Sequence, residues 1–307
     1  MIRRRDLLLA AGMFAPRGLR VPGSILVHEH VLVDFIGADQ IRPGRYDPDE
    51  VFRIARPKLE ELRPFGCRRL LECTPQFLGR DPRLMARLAE ATAIEIWTNT
   101  GIYGAAKHRY VPAFAREETA EQLARRWIRE VREGVDGVRP RFIKTGVSGA
   151  PLDEIDRKLI RAAGLTSLET GLTIASHTDG GGPAALEQLE LLSKLGVSPA
   201  KFVWVHAQNE KDHAWHERLA RAGAWVEFDG IREKTLDWHL ICVRRMAEAG
   251  LLARVLVSQD AGWYHVGEPG GGHFRGYTYI YTHFLPALEN DWAGPLLVTN
   301  PCNAFGE

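Results

Sequence analysis

The sequence predicts an α/β fold, a single-domain (β/α)8 barrel of the TIM type. Short apolar segments alternate regularly with amphipathic helical stretches along the 307 residues, and no composition shift or linker divides the chain. Repeated βα units imply parallel strands, and eight of them close into a barrel. Length alone is compatible with two domains of roughly 150 residues, but α/β barrels run past 250 residues as one unit.

Strands are expected at 24–33, 68–73, 95–100, 141–147, 172–177, 202–206, 224–228 and 254–258. Each is apolar and short, with β-branched residues frequent. Helices are expected between them at 49–62, 80–92, 116–133, 152–168, 184–195, 213–222 and 234–249, with Gly or Pro at many ends. The Gly-rich stretch 266–276 is too long for a minimal turn and is expected as a loop over the barrel mouth. Two closing helices are expected at 277–288 and 296–303. The barrel then occupies 22–307, and 1–21 is an N-terminal arm or vestigial signal-like segment. Its run of Arg3, Arg4 and Arg5 before Leu7, Leu8 and Leu9 is similar to a twin-arginine export signal, but the apolar stretch is short and no A-x-A site follows. The expected compartment is cytoplasmic, with export through that segment as the alternative.

The balance of 40 basic and 39 acidic side chains, a formal net charge of +1, gives no electrostatic case for nucleic acid or an anionic membrane. No run approaches the 18 or so apolar residues of a transmembrane helix. Cys67, Cys73, Cys242 and Cys302 lack C-x-x-C spacing, which favours reduced thiols over a disulfide framework or a zinc knuckle.

Polar residues interrupt this apolar pattern at chosen places. His28 and His30 lie two apart in Ile25-Leu26-Val27-His28-Glu29-His30-Val31, so their imidazoles share one strand face. A buried polar group left unsatisfied costs about 1–3 kcal/mol, and a metal ion would satisfy both rings. Barrel chemistry is done at the C-terminal strand ends. Lys144 lies late in the fourth strand, His177 and His206 end the fifth and sixth, and Asp260 follows the eighth. His28 and His30 sit further down theirs, at the floor of the same pocket. A lone strand-end His is more often structural, and a lone Lys usually snorkels or pairs. The conjunction on five strands points to a metal site.

Through these residues the chain resembles the phosphotriesterase family of the amidohydrolase superfamily, and within it the phosphotriesterase-like lactonase branch. The resemblance runs from about residue 22 onward. It is carried by Val27-His28-Glu29-His30, Thr100-Gly101-Ile102-Tyr103, Ile143-Lys144-Thr145, Ser176-His177-Thr178, Glu187-Gln188-Leu189, Val205-His206, Glu227-Phe228-Asp229, Ser258-Gln259-Asp260 and Asn300-Pro301. It implies two divalent ions per chain, the more buried held by His28, His30 and Asp260 and the more exposed by His177 and His206, with Lys144 bridging them. Zinc is the first expectation; manganese, cobalt and iron suit the same ligands. An ammonium has three donors and no acceptor and cannot bridge metals. The matching lysine of the family is carbamylated, so the resemblance implies that Lys144 is N6-carboxylysine.

The implied reaction is attack of a metal-bridging hydroxide on a lactone or carboxylic ester, with promiscuous cleavage of organophosphate triesters by the same hydroxide. Two ions would lower the pKa of water and polarise C=O or P=O. Asp260 would be both ligand and proton acceptor, and Tyr103 would lie over the metals. The family's usual aspartate three residues after the strand-six histidine is replaced here by Asn209, and its usual His or Arg after Phe228-Asp229 by Gly230. Proton export from Asp260 then needs another route, and Gly230 removes a pocket wall that Arg232 is near enough to replace. Trp263, Tyr264, His265, His273 and Arg275 in the last loop suit a polar organic substrate, with Trp263 and Tyr264 foremost. The substrate-binding expectation is thus Tyr103, Gly230, Arg232, Trp263 and Tyr264. The resemblance also implies a homodimer. The alternatives are a true phosphotriesterase, a catalytically silent ligand-binding barrel, and an amidase or deaminase of the same superfamily.

Overall fold

A computed structural model describes residues 18–307. The wall of the barrel is made of β1 Ser24–Glu29, β2 Cys67–Glu72, β3 Glu95–Trp97 with its continuation Asn99–Thr100, β4 Phe142–Val147, β5 Ile174–Thr178, β6 Phe202–Val205, β7 Trp225–Phe228 and β8 Val255–Val257. Successive strands pair in parallel, from Leu26 opposite Leu70 round to Phe228 opposite Val257. The circle closes where the Asp260 N–H donates to His28 O at 3.0 Å and the His30 N–H to Ala261 O at 2.8 Å. These are the expected eight strands, in order.

Outside lie α1 Pro48–Glu60, α2 Pro82–Thr92, α3 Ala120–Glu133, α4 Glu154–Thr170, α5 Gly181–Lys194, α6 His213–Arg221 and α7 Leu236–Glu248. Their starts are written locally. Asp47, Asp81, Thr119, Asp153 and Asp212 each accept a first-turn N–H, and Pro stands at the first turn of α1 and α2. Thr119 and Gln122 form a reciprocal capping box that starts α3 afresh, so the helix expected at 116–133 is divided from a short turn at Ala113–Glu117.

Two apolar clusters result. The larger fills the space between wall and helices, with Leu26, Leu70, Ile143, Ile174 and Val226 packing outward. The smaller fills the barrel, with Ile25, Val27, Leu71, Cys73, Phe142, Val203, Val205 and Leu256. The C-terminal helix α8 Asn300–Phe305 plugs the end opposite the site: Phe305 meets Phe142 at 5.9 Å between ring centres, and the Thr173 hydroxyl donates to Ala304 O. Asn300 ties that helix to the wall through the carbonyls of Leu252 and Val255.

Some expectations are corrected. The first strand does not run through 24–33 but ends at Glu29, and Leu32–Val33 pairs instead with Tyr264–His265 of the last loop. His28 and His30 therefore stand at the C-terminal strand end like the other site residues, not further down it. One extra residue on β1 between the Leu26–Leu70 and Glu29–Glu72 pairs makes a bulge, so Val27 packs inward and His28 beside it still lines the cavity. The closing segments are not regular helices. They form wide turns at Ile280–Phe284 and Pro295–Thr299, a tight turn at Leu285–Ala287 and then α8, because Pro286, Pro295 and Pro301 each withhold an N–H. Most of the N-terminal arm, residues 1–17, lies outside the described residues. Its end packs on the barrel through Leu19 N–H to Tyr281 O and Val21 N–H to Phe65 O. No helix among the described residues is long and apolar enough to cross a membrane.

Candidate metal centre

The bulge and the closing hydrogen bonds bring the end of β1 against the segment after β8, and this brings His28, His30 and Asp260 together. Glu29, the residue between the histidines, secures the junction from the other side. Its buried carboxylate accepts the N–H groups of Gln259 and Ala261 and the Ser258 hydroxyl, at 3.1, 2.7 and 2.8 Å. Burial pushes Glu29 up to about 7 against those hydrogen bonds. Gly262 permits the approach, since a Cβ there would stand 1.7 Å from His30 O. Gly101 does the same at Lys144, where a Cβ would be 2.2 Å from the carbonyl oxygen. His206, Asp260 and Trp263 carry positive φ, a backbone state that non-glycine residues keep only when surroundings impose it.

Each imidazole is oriented by a partner behind it. His30 Nδ1 lies 2.8 Å from Thr74 Oγ1, whose hydrogen is committed to Glu72 or Leu32 O, so the ring nitrogen donates and Nε2 keeps its lone pair. His28 Nδ1 faces Glu227 Oε1 at 2.7 Å and Asp229 Oδ2 at 3.5 Å. His206 gives its Nδ1–H and its backbone N–H to the two oxygens of Asp229, at 2.5 and 2.9 Å. In all three rings Nε2 is then the ligand-competent nitrogen. His177 differs: Nε2 meets Asp179 at 3.2 Å and Nδ1 meets the Tyr103 hydroxyl at 3.2 Å. Both ring nitrogens of His177 thus have a neighbour, and a metal ion on His177 would take the place of one of these contacts.

Burial, with the charge of Lys144, holds His28 down at about 3, and burial with His206 holds His177 at about 4. Burial lowers His30 as well. These rings are neutral at ordinary pH. His206 is the exception: burial disfavours its cation, but Asp229 outweighs that and raises it.

The residues fit a metal. Asp260 Oδ1 and Lys144 Nζ are buried and have no hydrogen-bond partner among the described residues. Asp260 Oδ1 lies 3.2 Å from His30 Nε2 and 3.9 Å from His28 Nε2, so lone pairs converge on one point. Within one protein such an arrangement is repulsive, and a cation reverses its sign. The donor set, imidazoles with a carboxylate, suits zinc, manganese, cobalt or iron.

Every expected ligand, His28, His30, Lys144, His177, His206 and Asp260, lines one cavity of about 160 Å³, together with Tyr103 and Trp263. A second cavity of about 360 Å³ shares His177, His206 and Asp260 with it and contains Gly230 and Arg232. Tyr264 is not brought there. Its ring packs over Gly271 and borders a surface hollow with Tyr46 and Glu268, because it pairs with Leu32 and faces the other way from Trp263. His273 is exposed and borders neither cavity. Sequence reasoning missed Thr74, Glu72, Glu227 and Asp179 as supports of the imidazoles. Glu227 alone carried a signal, an acidic residue inside an apolar strand.

A parallel barrel with four histidines, a lysine and an aspartate gathered at its strand ends has the form of a metal-dependent hydrolase. The chain belongs to the phosphotriesterase family, whose sequence model matches residues 11–298. It is 28% identical over 246 residues to an aryldialkylphosphatase of Saccharolobus solfataricus, covering 78% of this chain and 76% of that protein. It is 26% identical over 273 residues to a phosphotriesterase homology protein of Escherichia coli, covering 87% and 90%. A variant of a PTE-like lactonase of Deinococcus radiodurans is similar in structure, with a TM-score of 0.82 at 25% identity over 92% of this chain and 96% of that one. The protein is accordingly a hydrolase acting on ester bonds, in a family that depends on a pair of metal ions.

Proposed function

We propose that the protein is a binuclear metal-dependent hydrolase of lactones or carboxylic esters, with organophosphate triester hydrolysis as a side activity. The observation that carries the reading is the pair of buried atoms, Lys144 Nζ and Asp260 Oδ1, that have no hydrogen-bond partner among the described residues and lie amid the imidazoles. His28, His30 and Asp260 would hold one divalent ion, His177 and His206 the other, and Lys144, as the N6-carboxy form, would join them. Such ions supply Lewis acidity, lowering the pKa of water and polarising the ester or phosphoryl oxygen. Asp260 would be both ligand and proton acceptor. Glu227, Thr74 and Asp229 hold the rings in the tautomers that ligation needs. Tyr103 presents its hydroxyl over His177, where it can orient an ester oxygen. Trp263, its ring tilted against His30 with centres 4.3 Å apart, covers one side, and Gly230 leaves the other side open toward Arg232. Preference for esters over triesters rests on Tyr103 and the Trp263 loop.

The test loads the purified chain with zinc, manganese, cobalt or iron and assays lactones, aryl esters and a paraoxon-like triester. Two equivalents of metal, with lactone or ester turnover above triester turnover, is the expected result. Triester turnover in excess would make it a phosphotriesterase. Less than one equivalent of metal with no hydrolysis would make it a binding barrel. Mass spectrometry checks the carbamate on Lys144, and light scattering checks the homodimer.

A further inference from the structure

The two cavities that meet at His177, His206 and Asp260 differ in chemistry. The smaller, about 160 Å³, is walled by Phe35, Pro75, Leu78, Tyr110 and Trp263. Phe35 stacks on Trp263 at 5.7 Å and meets Tyr110 at 6.3 Å, so the wall is a continuous aromatic surface. The larger, about 360 Å³, is bordered by Lys211, Arg232 and Arg275.

These three cations form no ion pair. Among the described residues none has a carboxylate within ion-pair distance, whereas Arg45, Arg80 and Arg157 pair with Asp34, Glu130 and Glu187. Arg275 donates only to carbonyls, including Ile231 O at 3.1 Å and Asp260 O at 2.6 Å, which fixes the guanidinium and leaves its charge. Lys211 donates to Gln208 O at 3.1 Å and lies 4.3 Å from the centre of the Trp238 ring. The Arg232 side chain is exposed and makes no hydrogen bond among the described residues. Burial opposes the charge on Arg275, the carboxylates of Glu29 and Asp260 favour it, and the like charge of Arg232, on the same cavity wall, opposes it. Of the carboxylates bordering this cavity, Asp229 is engaged by His206 and Gln208, and Asp260 is directed at the histidines of the metal centre. Gly230 keeps the path from His206 to Arg232 clear, since a Cβ there would find only Gln208 Nε2, at 3.4 Å. In a chain whose net charge is only +1, this local excess is a device for binding an anion. Planar guanidiniums suit carboxylate, sulfonate and phosphate oxygens.

We propose that the substrates of this site carry an anionic group on one side of the scissile bond, bound by Arg232 with Arg275 and Lys211, and an apolar group on the other, facing Phe35, Tyr110 and Trp263. This rests on the hydrolase reading above and names its substrate class. The test compares two esters of similar length, phenyl butyrate and monophenyl glutarate, on the zinc-loaded chain by phenol release. The glutarate ester has a kcat/KM roughly tenfold or more above the butyrate, as one charge-assisted contact provides. Arg232→Ala collapses that ratio toward one through KM, Arg232→Lys restores part of it, and added salt narrows it. Phenyl esters ending in sulfonate or phosphonate rank the three anions. Calorimetric titration of the metal-free chain with glutarate is a second readout, in which the Arg232→Ala variant loses binding. Equal rates for the two esters, or an Arg232→Ala variant that lowers both alike, overturn the proposal. Arg232-dependent glutarate binding without turnover of either ester supports the anion site and refutes the hydrolase reading instead.

Discussion

Asp229→Asn changes one buried oxygen to an amino group at the point where the His206 ligand is oriented. The carboxylate is fully buried and accepts from His206 Nδ1 at 2.5 Å, from the His206 N–H at 2.9 Å and from Gln208 Nε2 at 2.9 Å. An asparagine offers one acceptor oxygen and two donors. If its nitrogen replaces Oδ2, it confronts the His206 N–H; if it replaces Oδ1, it confronts the imidazole Nδ1–H. The first arrangement leaves a buried donor unmatched at a cost of about 1–3 kcal/mol. The second drives the proton to Nε2 and removes the lone pair that would bind metal. Loss of such outer partners weakens metal binding roughly 10–100-fold, which is about 1.4–2.8 kcal/mol and agrees with the hydrogen-bond estimate. His28, whose nearer partner is Glu227 at 2.7 Å against 3.5 Å for Asp229, is largely spared. Chelator competition should therefore show one of two ions weakened by one to two decades and the other nearly unchanged. Glu227→Gln should weaken the other ion instead. Unaltered affinities in Asp229→Asn, with circular dichroism showing the same fold, would refute the assignment of His206 as a ligand oriented by Asp229.

Gly101→Ala forces a side chain to φ +116 and to 2.2 Å from the Lys144 carbonyl, so denaturant unfolding should reveal a loss of at least about 1–3 kcal/mol, and a neutral result would mean the backbone shifts freely there. Tyr103→Phe removes the hydroxyl over His177 and should lower kcat/KM for lactones by about 2–10-fold; a smaller change would reduce Tyr103 to a pocket wall. Burial holds His216 at about 4, below the ordinary 6.5, while its Nε2 donates to Ala207 O at 2.8 Å. Unfolding frees it to take a proton, so its contribution is complete above about pH 6.5 and is lost as pH falls toward 4, by at most about 3 kcal/mol. The stability difference between the natural chain and His216→Gln, both metal-free, should shrink over that interval, and a pH-independent difference would contradict it.

Much of the site was legible in the sequence because barrel strands are local and their ends are predictable. A polar residue closing an apolar run, as His177 and His206 do, marks the chemical face of such a barrel without any knowledge of what lies beside it. His28 and His30 were legible through their spacing, although the bulge at Val27 and His28 was not. The helix caps at Asp47, Asp81 and Thr119 were likewise local, since each side chain bonds within its own turn.

What only the tertiary structure decided is the partnership between segments far apart in the chain. Glu227 stands 199 residues from His28, and Thr74 stands 44 from His30, so no local pattern assigns either to its imidazole. Trp263 and Tyr264 are neighbours with equal claims in the sequence, yet the positive φ of Trp263 and the pairing of Tyr264 with Leu32 turn one ring into the cavity and the other away from it. Arg232 and Arg275 became one cationic wall only when the loops after β7 and β8 met. The sequence by itself determined the barrel and the residue types at its mouth, because strand periodicity is set by nearest-neighbour backbone geometry. The folded chain decided ring tautomers, the converging lone pairs of Asp260 and His30, and the division of the pocket into aromatic and cationic halves. These depend on distances across space that covalent order does not encode.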